Sequence, residues 1–381
     1  MLQSHNMTSA VILGLILLIP ILLIPRFTGW PKLIQSPTKL LLWCQRPKQS
    51  TEIISLRIYP IKSCRGIEVQ STVLKQHGLD LDRRWMLVDA SSNTFLTIRQ
   101  IPDMTRIRTA LSADGDELVV SIPKPESNES TQDQDQDRQF HTIRIPSHPS
   151  PPWLAANTNI GPVHIWDTDT DGYRYSDEIN APFSAFLGRD VVLVHKGPTP
   201  RVLKGNGAPH RLGRVQTTGF PDVHPVQIAS ESSLAELNAR LGKVGIDPIT
   251  VERFRPNIVV RGKAPWSEDS WKLVRITGRN AVGISGDSAG DSGAAIQSPL
   301  DLDVVARCAR CQVPNVDPDT ALKNKKQPWD TLVSYRRVDE GSKYKPCFGM
   351  LSAPRNEGAI EVGMKLEVLE ETTGHRYVAG F

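Results

Sequence analysis

Cysteine is scarce in this chain, and two cofactor signatures are missing. Only 5 of the 381 residues are cysteine, too few for a disulfide framework, so a reducing compartment is indicated. Lys and Arg (45) nearly balance Asp and Glu (41). No basic run is interleaved with aromatic residues, so we expect no nucleic-acid partner. No G-x-G-x-x-G follows a strand pattern and no iron–sulfur motif occurs, so neither NAD nor such a cluster is expected.

Proline (29) and glycine (27) are plentiful, which favours a strand-rich, loop-rich fold over a helical bundle. β-Branched alternation predicts a strand over residues 52–61, a hairpin from residues 83–90 and 95–100, and a second hairpin over residues 359–371. Residues 230–242 predict a helix, with leucines on one face. We therefore predict an α+β fold with two β-rich subdomains.

The N-terminus carries an uncharged aliphatic run over residues 10–25, AVILGLILLIPILLIP. It is slightly short of the roughly 20 residues of a membrane-spanning helix. No positive charge precedes it and no A-x-A-like cleavage site follows, so we interpret it as an uncleaved anchor rather than a signal peptide or an interfacial segment. By the positive-inside rule, the basic residues that follow it hold the rest of the chain in the cytosol. They are Arg26, Lys32, Lys39, Arg46 and Lys48.

Composition shifts divide the chain into three parts. We assign residues 1–50 to the anchor and a linker, residues 51–185 to an N-terminal β-rich domain, and residues 186–381 to a C-terminal domain. An acidic, low-complexity tract at about 124–139 is expected to be a disordered surface insertion. A Gly/Ser-rich insertion occupies about 279–299.

The Gly/Ser-rich insertion contains two serine-nucleophile patterns. Residues 286–290 fit the G-x-S-x-G elbow at Ser288, and Ser292 lies in a trypsin-like Gly-Asp-Ser-Gly context. The residues that follow are a poor helix with a proline, no HGGG-like segment occurs, and only His375 follows Ser288. We interpret the string as a loop. A serine hydrolase using Ser288 is the least favoured alternative.

Basic residues lie at several turns beside apolar strands. Alone, each would be a solvated surface residue. Together they suit a pocket for an anionic, phosphate-bearing ligand, because Arg offers bidentate contacts to phosphate and Lys a point charge. These positions are Lys62 with Ser63, Arg83, Arg84, Arg99, Arg253 and Arg255.

One close cysteine pair is present, Cys308 and Cys311. A single C-x-x-C is weak for structural zinc or an iron–sulfur cluster, since each usually needs four ligands. Arg307 and Arg310 lie on either side, and they favour the thiolate form that a soft metal requires. A buried, inert cysteine is the alternative.

Four motifs occur in order along the chain: YPIKSCRG (59–66), LDRRWMLVD (81–89), RFRPNIVV (253–260) and RCARCQVPNVDPDT (307–320). In sequence and spacing they resemble the MOSC-domain family, and in particular its membrane-anchored mitochondrial amidoxime-reducing branch. The resemblance runs from about residue 52 to about residue 370 and implies an N-terminal MOSC-type β subdomain followed by a MOSC β-barrel-like domain.

The resemblance implies a molybdenum cofactor, a pyranopterin dithiolene that carries a phosphate. It makes Cys311 the catalytic metal ligand and Cys308 a motif cysteine that does not bind the metal. Asp317, Asp319 and His224 are candidate proton carriers, although a structural role is favoured for each. The residues expected at the cofactor are Lys62, Ser63, Arg83, Asp222, Val223, His224, Arg255, Asn257, Arg310 and Cys311.

The resemblance further implies an oxidoreductase that reduces N-hydroxylated compounds such as amidoximes and hydroxylamines. Electrons would come from a b-type cytochrome and its NADH-dependent flavin reductase, at the mitochondrial outer membrane or the endoplasmic reticulum. The alternative is a molybdenum-cofactor carrier or sulfur-transfer protein, but a sulfurase would need a pyridoxal-phosphate domain of which the sequence has no sign. Two departures from the family pattern, Ala321 for glycine and His224 for a small polar residue, bear on substrate shape.

Overall fold

The computed structural model describes residues 49–124, 139–278 and 298–380. The expected anchor at 10–25, most of the acidic tract, and the insertion with Ser288 and Ser292 lie outside the described residues. Within these ranges no helix has the length and apolar character needed to cross a membrane.

Strands dominate the fold. They are β1 (Ser50–Ile58), β2 (Ile67–Val69), β3 (Ser71–Lys75), β4 (Gly78–Leu79), β5 (Trp85–Asp89), β6 (Arg108–Leu111), β7 (Glu117–Pro123), β8 (Phe140–Pro146), β9 (Thr158–Ile165), β10 (Thr168–Tyr175), β11 (Val191–Lys196), β12 (Arg201–Val202), β13 (Thr217–Thr218), β14 (Val226–Ser230), β15 (Ile258–Val260), β16 (Trp271–Thr277), β17 (Leu300–Ala309), β18 (Cys347–Pro354), β19 (Gly358–Glu361) and β20 (Lys365–Glu371). The α-helices are α1 (Pro151–Asn157), α2 (Asp177–Leu187), α3 (Pro209–Leu212), α4 (Glu231–Lys243) and α5 (Trp329–Tyr335).

The largest sheet closes into a barrel. Around the ring the strand order is β15-β14-β18-β17-β16-β20-β1, and β1 pairs back to β15 through Leu56 and Ile258. The eighth strand of this sheet, β2, also pairs with β1. Closure leaves no exposed edge along this ring. An odd number of strands in a ring requires at least one parallel pair, and that pair is β14–β15. The expected barrel is confirmed, and its seventh strand comes from the start of the described chain.

Buried and partly exposed residues alternate along β17, and this pattern indicates which face of the strand lies in the core. Leu300, Leu302 and Val304 are buried, whereas Asp301 and Asp303 between them are partly exposed. A period of two places alternate side chains on opposite faces of the sheet. Because β17 ends at Ala309, the chain leaves the barrel wall immediately before Arg310 and Cys311.

Smaller sheets complete the molecule. They are β5-β11-β10-β9, β6-β7-β8, β19-β3-β4 and β12-β13. The main buried cluster includes Leu118 of β7 and Phe183 of α2 together with Ile228 and Leu366 of the barrel. The N-terminal and C-terminal halves therefore share one continuous hydrophobic core.

One hairpin prediction is right in part and the other is wrong. After the predicted turn the chain returns antiparallel to β5, through a bridge from Phe95 to Val88 and a hydrogen bond from the Leu96 amide to the carbonyl of Leu87, but residues 95–100 form no strand. The last two strands do not pair with each other, since β19 pairs with β3 and β20 pairs with β16 and β1. The helix predicted over residues 230–242 is confirmed as α4.

Candidate functional site

A cavity of about 330 Å³ lies where loops from both halves meet. The structure brings every residue expected at a cofactor to this cavity, and their assignment to a cofactor stays a prediction. Those residues are Lys62, Ser63, Arg83, Asp222, Val223, His224, Arg255, Asn257, Arg310 and Cys311. Cys308 also lines it, and so does Arg99, which the sequence had placed in a basic pocket. Arg84 and Arg253, predicted for the same pocket, do not line it, whereas Trp166, Gln227 and Tyr377 line it and were not predicted from the sequence.

Loops at strand ends supply most of the lining. The N-terminal half contributes the turn after β1, Arg83 before β5, residues 97–99 after β5, and Trp166 between β9 and β10. The C-terminal half contributes the loops before β14 and β15 and the end of β17. Binding groups on loops that a rigid barrel positions are typical of functional sites.

Four of the lining residues hold the left-handed backbone conformation that favours glycine. The φ angles are 72° at Ser63, 47° at Arg83, 55° at Trp166 and 56° at Arg255. Such conformations are uncommon for residues with a side chain and cost of order 1–3 kcal/mol each. Backbone hydrogen bonds hold them, for example from the Arg83 amide to the carbonyl of Tyr59 at 2.8 Å. Strain concentrated around one cavity indicates a functional site.

Arg83 and Arg255 share one buried aromatic ring. Their guanidinium carbons lie 4.6 Å and 4.2 Å from the ring centre of Tyr59. Arg83 is fixed further by Asp82 at 2.7 Å and by the Asn257 side chain at 3.2 Å. Burial lowers the pKa of Arg255 to about 10, and its Nη2 has no hydrogen-bond partner among the described residues. A buried cation with a free donor suits an anionic ligand.

Lys62, Asp222 and Arg99 form a chain of alternating charge along the cavity. Lys62 Nζ donates to the carbonyl of Phe220 at 2.9 Å and to Asp222 Oδ1, while Arg99 donates to Asp222 Oδ2 at 2.8 Å. Burial lowers the pKa of Lys62 to about 8, although Asp222 opposes the shift. Burial alone would raise the pKa of Asp222, but Lys62 and Arg99 hold it well below its usual range. Asp222 is therefore a carboxylate at neutral pH.

The arginine that contacts Cys311 is Arg99 rather than a sequence neighbour. Arg99 Nε lies 3.3 Å from Cys311 Sγ, and the guanidinium packs 5.0 Å from the ring centre of Trp166. The two arginines that the sequence expected to favour the thiolate have other partners, and Arg310 contacts the thiol of Cys308. Arg307 instead donates to the carbonyl of His375 at 3.0 Å.

The buried guanidinium of Arg310 contacts the thiol of Cys308. Its Nη1 lies 3.0 Å from Cys308 Sγ and 3.1 Å from Gln227 Oε1, and its Nη2 donates to the carbonyl of Phe254 at 2.9 Å. Phe254 in turn stacks on Phe348, with ring centres 3.7 Å apart. The two cysteines of the motif thus have different arginine partners.

His224 faces the cavity as a neutral ring. It is 5% exposed, and neither ring nitrogen has a hydrogen-bond partner in the part of the chain that the structure describes. Burial lowers its pKa to about 4. A neutral imidazole with two unsatisfied nitrogens can bind a polar ligand, but it carries no extra proton to donate at neutral pH.

Asp317 and Asp319 organise the loop after Cys311 and do not line the cavity. Asp317 accepts hydrogen bonds from the amides of Asp319 and Thr320 and pairs with Arg253 at 2.7 Å. Asp319 is 70% exposed and pairs with Arg65. These contacts favour the structural role for both carboxylates.

No group of three or more His, Cys, Asp or Glu side chains in residues 49–124, 139–278 and 298–380 could hold a metal ion. Cys311 is the cavity thiol that the family resemblance assigns to a metal, and it is partly exposed.

Two family models match the chain. The MOSC N-terminal beta barrel domain matches residues 50–190, and the MOSC domain matches residues 215–367. Together they include every residue that lines the cavity except Tyr377.

Curated relatives agree with these matches. The chain is 28% identical to mitochondrial amidoxime reducing component 2 of Bos taurus, covering 84% of this chain and 83% of that protein. It is 29% identical to mitochondrial amidoxime-reducing component 1 of Homo sapiens, covering 83% and 82%. It is also 28% identical to the molybdenum cofactor sulfurase of Oryza sativa subsp. japonica, covering 81% of this chain but 33% of that protein. The chain therefore belongs to the MOSC-domain family and carries both its N-terminal and its MOSC domain.

Proposed function

We propose that this protein is a molybdenum-cofactor oxidoreductase that reduces N-hydroxylated compounds such as amidoximes and hydroxylamines. The observation that carries the proposal is the cavity itself, where the Cys311 thiol faces the same space as three buried or half-buried cations, Lys62, Arg83 and Arg255. Relatives named as amidoxime-reducing components, similar over most of their length, support the same chemistry.

The residues present fit a pyranopterin dithiolene with a phosphate. Arg255 Nη2, Gln227 Nε2 and both nitrogens of His224 are buried without partners among the residues described, so they can bind a ligand rich in polar atoms. Arg83, Arg255 and Lys62 would hold the phosphate and the pterin edge. Cys311 would ligate the metal. A dithiolene brings its own sulfur ligands, so one protein thiolate is sufficient.

The proposed reaction removes one oxygen atom from nitrogen. An amidoxime accepts two electrons and two protons, the N–O bond breaks, and an amidine and water are released. When bound, the cofactor supplies the two-electron redox chemistry. The chain orients the substrate, and the two protons come from solvent. Asp222 is ionised and His224 is neutral at pH 7, so neither has an extra proton to donate, whereas Lys62, with a pKa of about 8, is mostly protonated and serves as a cation for the cofactor.

Partners and location are part of the proposal. Electrons would arrive from a b-type cytochrome and its NADH-dependent flavin reductase, because the sequence has no NAD or iron–sulfur motif. The catalytic part would lie in the cytosol, anchored by residues 10–25 at the mitochondrial outer membrane, with the endoplasmic reticulum as the other candidate. The mitochondrial names of the relatives favour the former.

A cofactor carrier or sulfur-transfer protein is the second candidate. The match to a plant molybdenum cofactor sulfurase favours it. Such a protein would bind the cofactor in the same cavity but would not reduce an N-hydroxylated substrate with supplied electrons. Catalysis therefore separates the two candidates, whereas cofactor binding does not.

The test is metal content and turnover of the purified chain, produced in a host that makes the cofactor. We expect about one molybdenum per chain by elemental analysis and reduction of benzamidoxime with electrons from a cytochrome b5 and its reductase. Cys311→Ser should lose turnover and change the spectrum of the metal, because its thiolate ligand is gone.

Cys308→Ser is the matched control, since this thiol lines the same cavity. It should keep the molybdenum and most of the turnover. Molybdenum without turnover would favour the carrier. Zinc, or no metal, would contradict both candidates, and labelling of Ser288 or Ser292 by a fluorophosphonate probe would then revive the hydrolase.

A further inference from the structure

The segment after the last strand forms part of the cavity. β20 ends at Glu371, and the MOSC-domain match ends at residue 367. Residues 372–380 contain no helix or strand, yet Tyr377 lines the cavity beside Cys308 and Asp222. This chain therefore adds a wall from beyond the matched domain.

Hydrogen bonds fix the path of this segment on the body of the protein. The amide of Tyr377 donates to Asp339 Oδ1 at 2.8 Å, and the amide of Val378 donates to Asn206 Oδ1 at 2.7 Å. Asn206 returns a bond to the carbonyl of Arg376 at 2.9 Å. Asp339 is 2% exposed, so its carboxylate is a rigid anchor rather than a surface contact. Two further bonds join Arg307 to the carbonyl of His375 and the His375 ring to the carbonyl of Trp271.

Two glycines allow the segment to pass this close. A Cβ atom added at Gly341 would overlap the carbonyl of Tyr377, and one added at Gly205 would overlap the carbonyl of Val378. Gly205 also has a φ of 54°, which favours glycine. Neither position tolerates a side chain without moving the segment. Contacts with residues 205–206, 271, 307 and 339–341 therefore hold the segment in this path.

Tyr377 adds a phenol to a cavity that is otherwise lined by charged residues, two thiols and apolar side chains such as Trp166 and Leu351. Burial raises the pKa of Tyr377 to about 12, and the Asp222 carboxylate shifts it in the same direction. The hydroxyl is therefore an O–H donor at neutral pH. Its ring occupies volume that a substrate would otherwise fill.

We propose that residues 372–380 form a fixed wall of the cavity and that Tyr377 determines which substrates enter it. The ring limits the bulk of the group carried on the substrate carbon, and the hydroxyl donates a hydrogen bond to the oxygen on nitrogen. The nature of the substrate rests on the proposed function; the wall does not.

The wall is tested first without cofactor or substrate, by thiol labelling of the cofactor-free protein. All proteins carry Cys44→Ser, because this fifth cysteine lies outside the described residues. Cys308 and Cys311 line the cavity, whereas Cys64 and Cys347 are 0% exposed and report unfolding. With a bulky maleimide, Tyr377→Ala should label at the cavity cysteines several-fold faster than wild type. With the small reagent methyl methanethiosulfonate the two proteins should differ little. Tyr377→Phe keeps the ring and should label as wild type does.

Gly341→Ala offers an independent test, because it displaces the segment and leaves Tyr377 intact. Like Tyr377→Ala, it should increase the rate at which the bulky maleimide labels Cys308 and Cys311. The proposal that residues 372–380 form a wall is overturned if the bulky maleimide labels wild type, Tyr377→Ala and Gly341→Ala at the same rate while Cys64 and Cys347 stay unlabelled.

Specificity is then tested on the cofactor-loaded enzyme with benzamidoxime and a bulkier aryl amidoxime. Tyr377→Ala should shift kcat/KM several-fold toward the bulkier substrate. Tyr377→Phe should raise KM for both several-fold, with kcat and molybdenum content nearly unchanged. If wild type and both variants are all inactive, the proposed function is contradicted. The labelling experiment still tests whether residues 372–380 form a wall of the cavity. An active enzyme with unchanged preference in Tyr377→Ala would overturn the specificity role alone.

Discussion

The fold shifts the pKa or pairs the charge of several residues in this protein. Away from the cavity, Glu268 is the most deeply buried acidic residue among the described residues. It is 0% exposed, and Ser233 donates to its Oε1 at 2.7 Å. Burial raises its pKa from 4.5 to about 7. The folded protein therefore prefers the protonated acid. The resulting stability is complete below pH 4.5 and is lost as the pH rises through about 7.

Glu268→Gln should remove that loss, because the amide keeps the shape of the acid without its charge. The variant is expected to match wild type near pH 4.5 and to exceed its free energy of unfolding above pH 7, by at most about 3 kcal/mol. Urea unfolding at both pH values measures the difference. A constant offset between the proteins at all pH values would show that Glu268 does not titrate in this range.

Asp222 is the residue whose loss should most disturb the cavity charges. In Asp222→Asn, Lys62 and Arg99 lose the carboxylate between them, and Lys62 is 5% exposed. Because Asp222 is itself 35% exposed, solvent screening reduces the cost, which we place at about 1–3 kcal/mol. Denaturant unfolding of the cofactor-free protein is the measurement.

Asp319→Asn is the matched control, since this carboxylate also pairs with an arginine but is 70% exposed. It should cost at most about 1 kcal/mol. Equal losses in the two variants would contradict the argument that burial of Lys62 makes Asp222 important.

For single residues, the sequence predicted which side chains reach the cavity better than it predicted which side chains contact each other. The motif around Cys311 and the basic turns at Lys62, Arg83 and Arg255 all reach one cavity. The contact between Arg99 and Cys311, at 3.3 Å, could not be predicted, because the two residues lie on loops that only the folded barrel brings together. Tyr377 gave no signal either, since its position depends on hydrogen bonds to distant loops.

Among the elements, β1 has a role that its position in the chain conceals. The sequence assigned residues 51–185 to an N-terminal domain, yet β1 lies between β15 and β20 in the barrel. Periodicity predicted this strand correctly but could not name its partners, because strand pairing is decided by tertiary packing. The same limit explains the wrong C-terminal hairpin, where β19 and β20 follow each other in sequence and pair in different sheets.

A chain of residues 190–381 should therefore fail to fold by itself. Without β1, the ring is open between β15 and β20, and the buried side chains of Ile53 and Leu56 are missing from the core. Circular dichroism and the dispersion of amide NMR signals measure the outcome. Residues 49–381, which keep β1, are the control and should fold, since they form one compact unit. A cooperatively folded fragment of residues 190–381 would contradict the role given to β1.

For the whole molecule, the cavity lies across the junction of the two halves. Lys62, Ser63 and Arg83 come from the N-terminal half, and Arg255 and Cys311 come from the C-terminal half. Because the halves also share one hydrophobic core, a ligand in the cavity should stabilise the entire unit rather than one domain. A ligand that binds only the folded state adds about 2.7 kcal/mol at one hundred times its dissociation constant.

Cofactor-loaded protein should accordingly unfold in one transition at a higher temperature than cofactor-free protein, as measured by scanning calorimetry. Arg255→Gln should reduce the increase, because the buried guanidinium with its unpartnered Nη2 is lost as a ligand contact. In the cofactor-free state the same variant should change the melting temperature less, since the charge it removes is costly to bury. Two separate transitions, only one of which moves on loading, would mean that the halves unfold independently and that the cavity belongs to one of them.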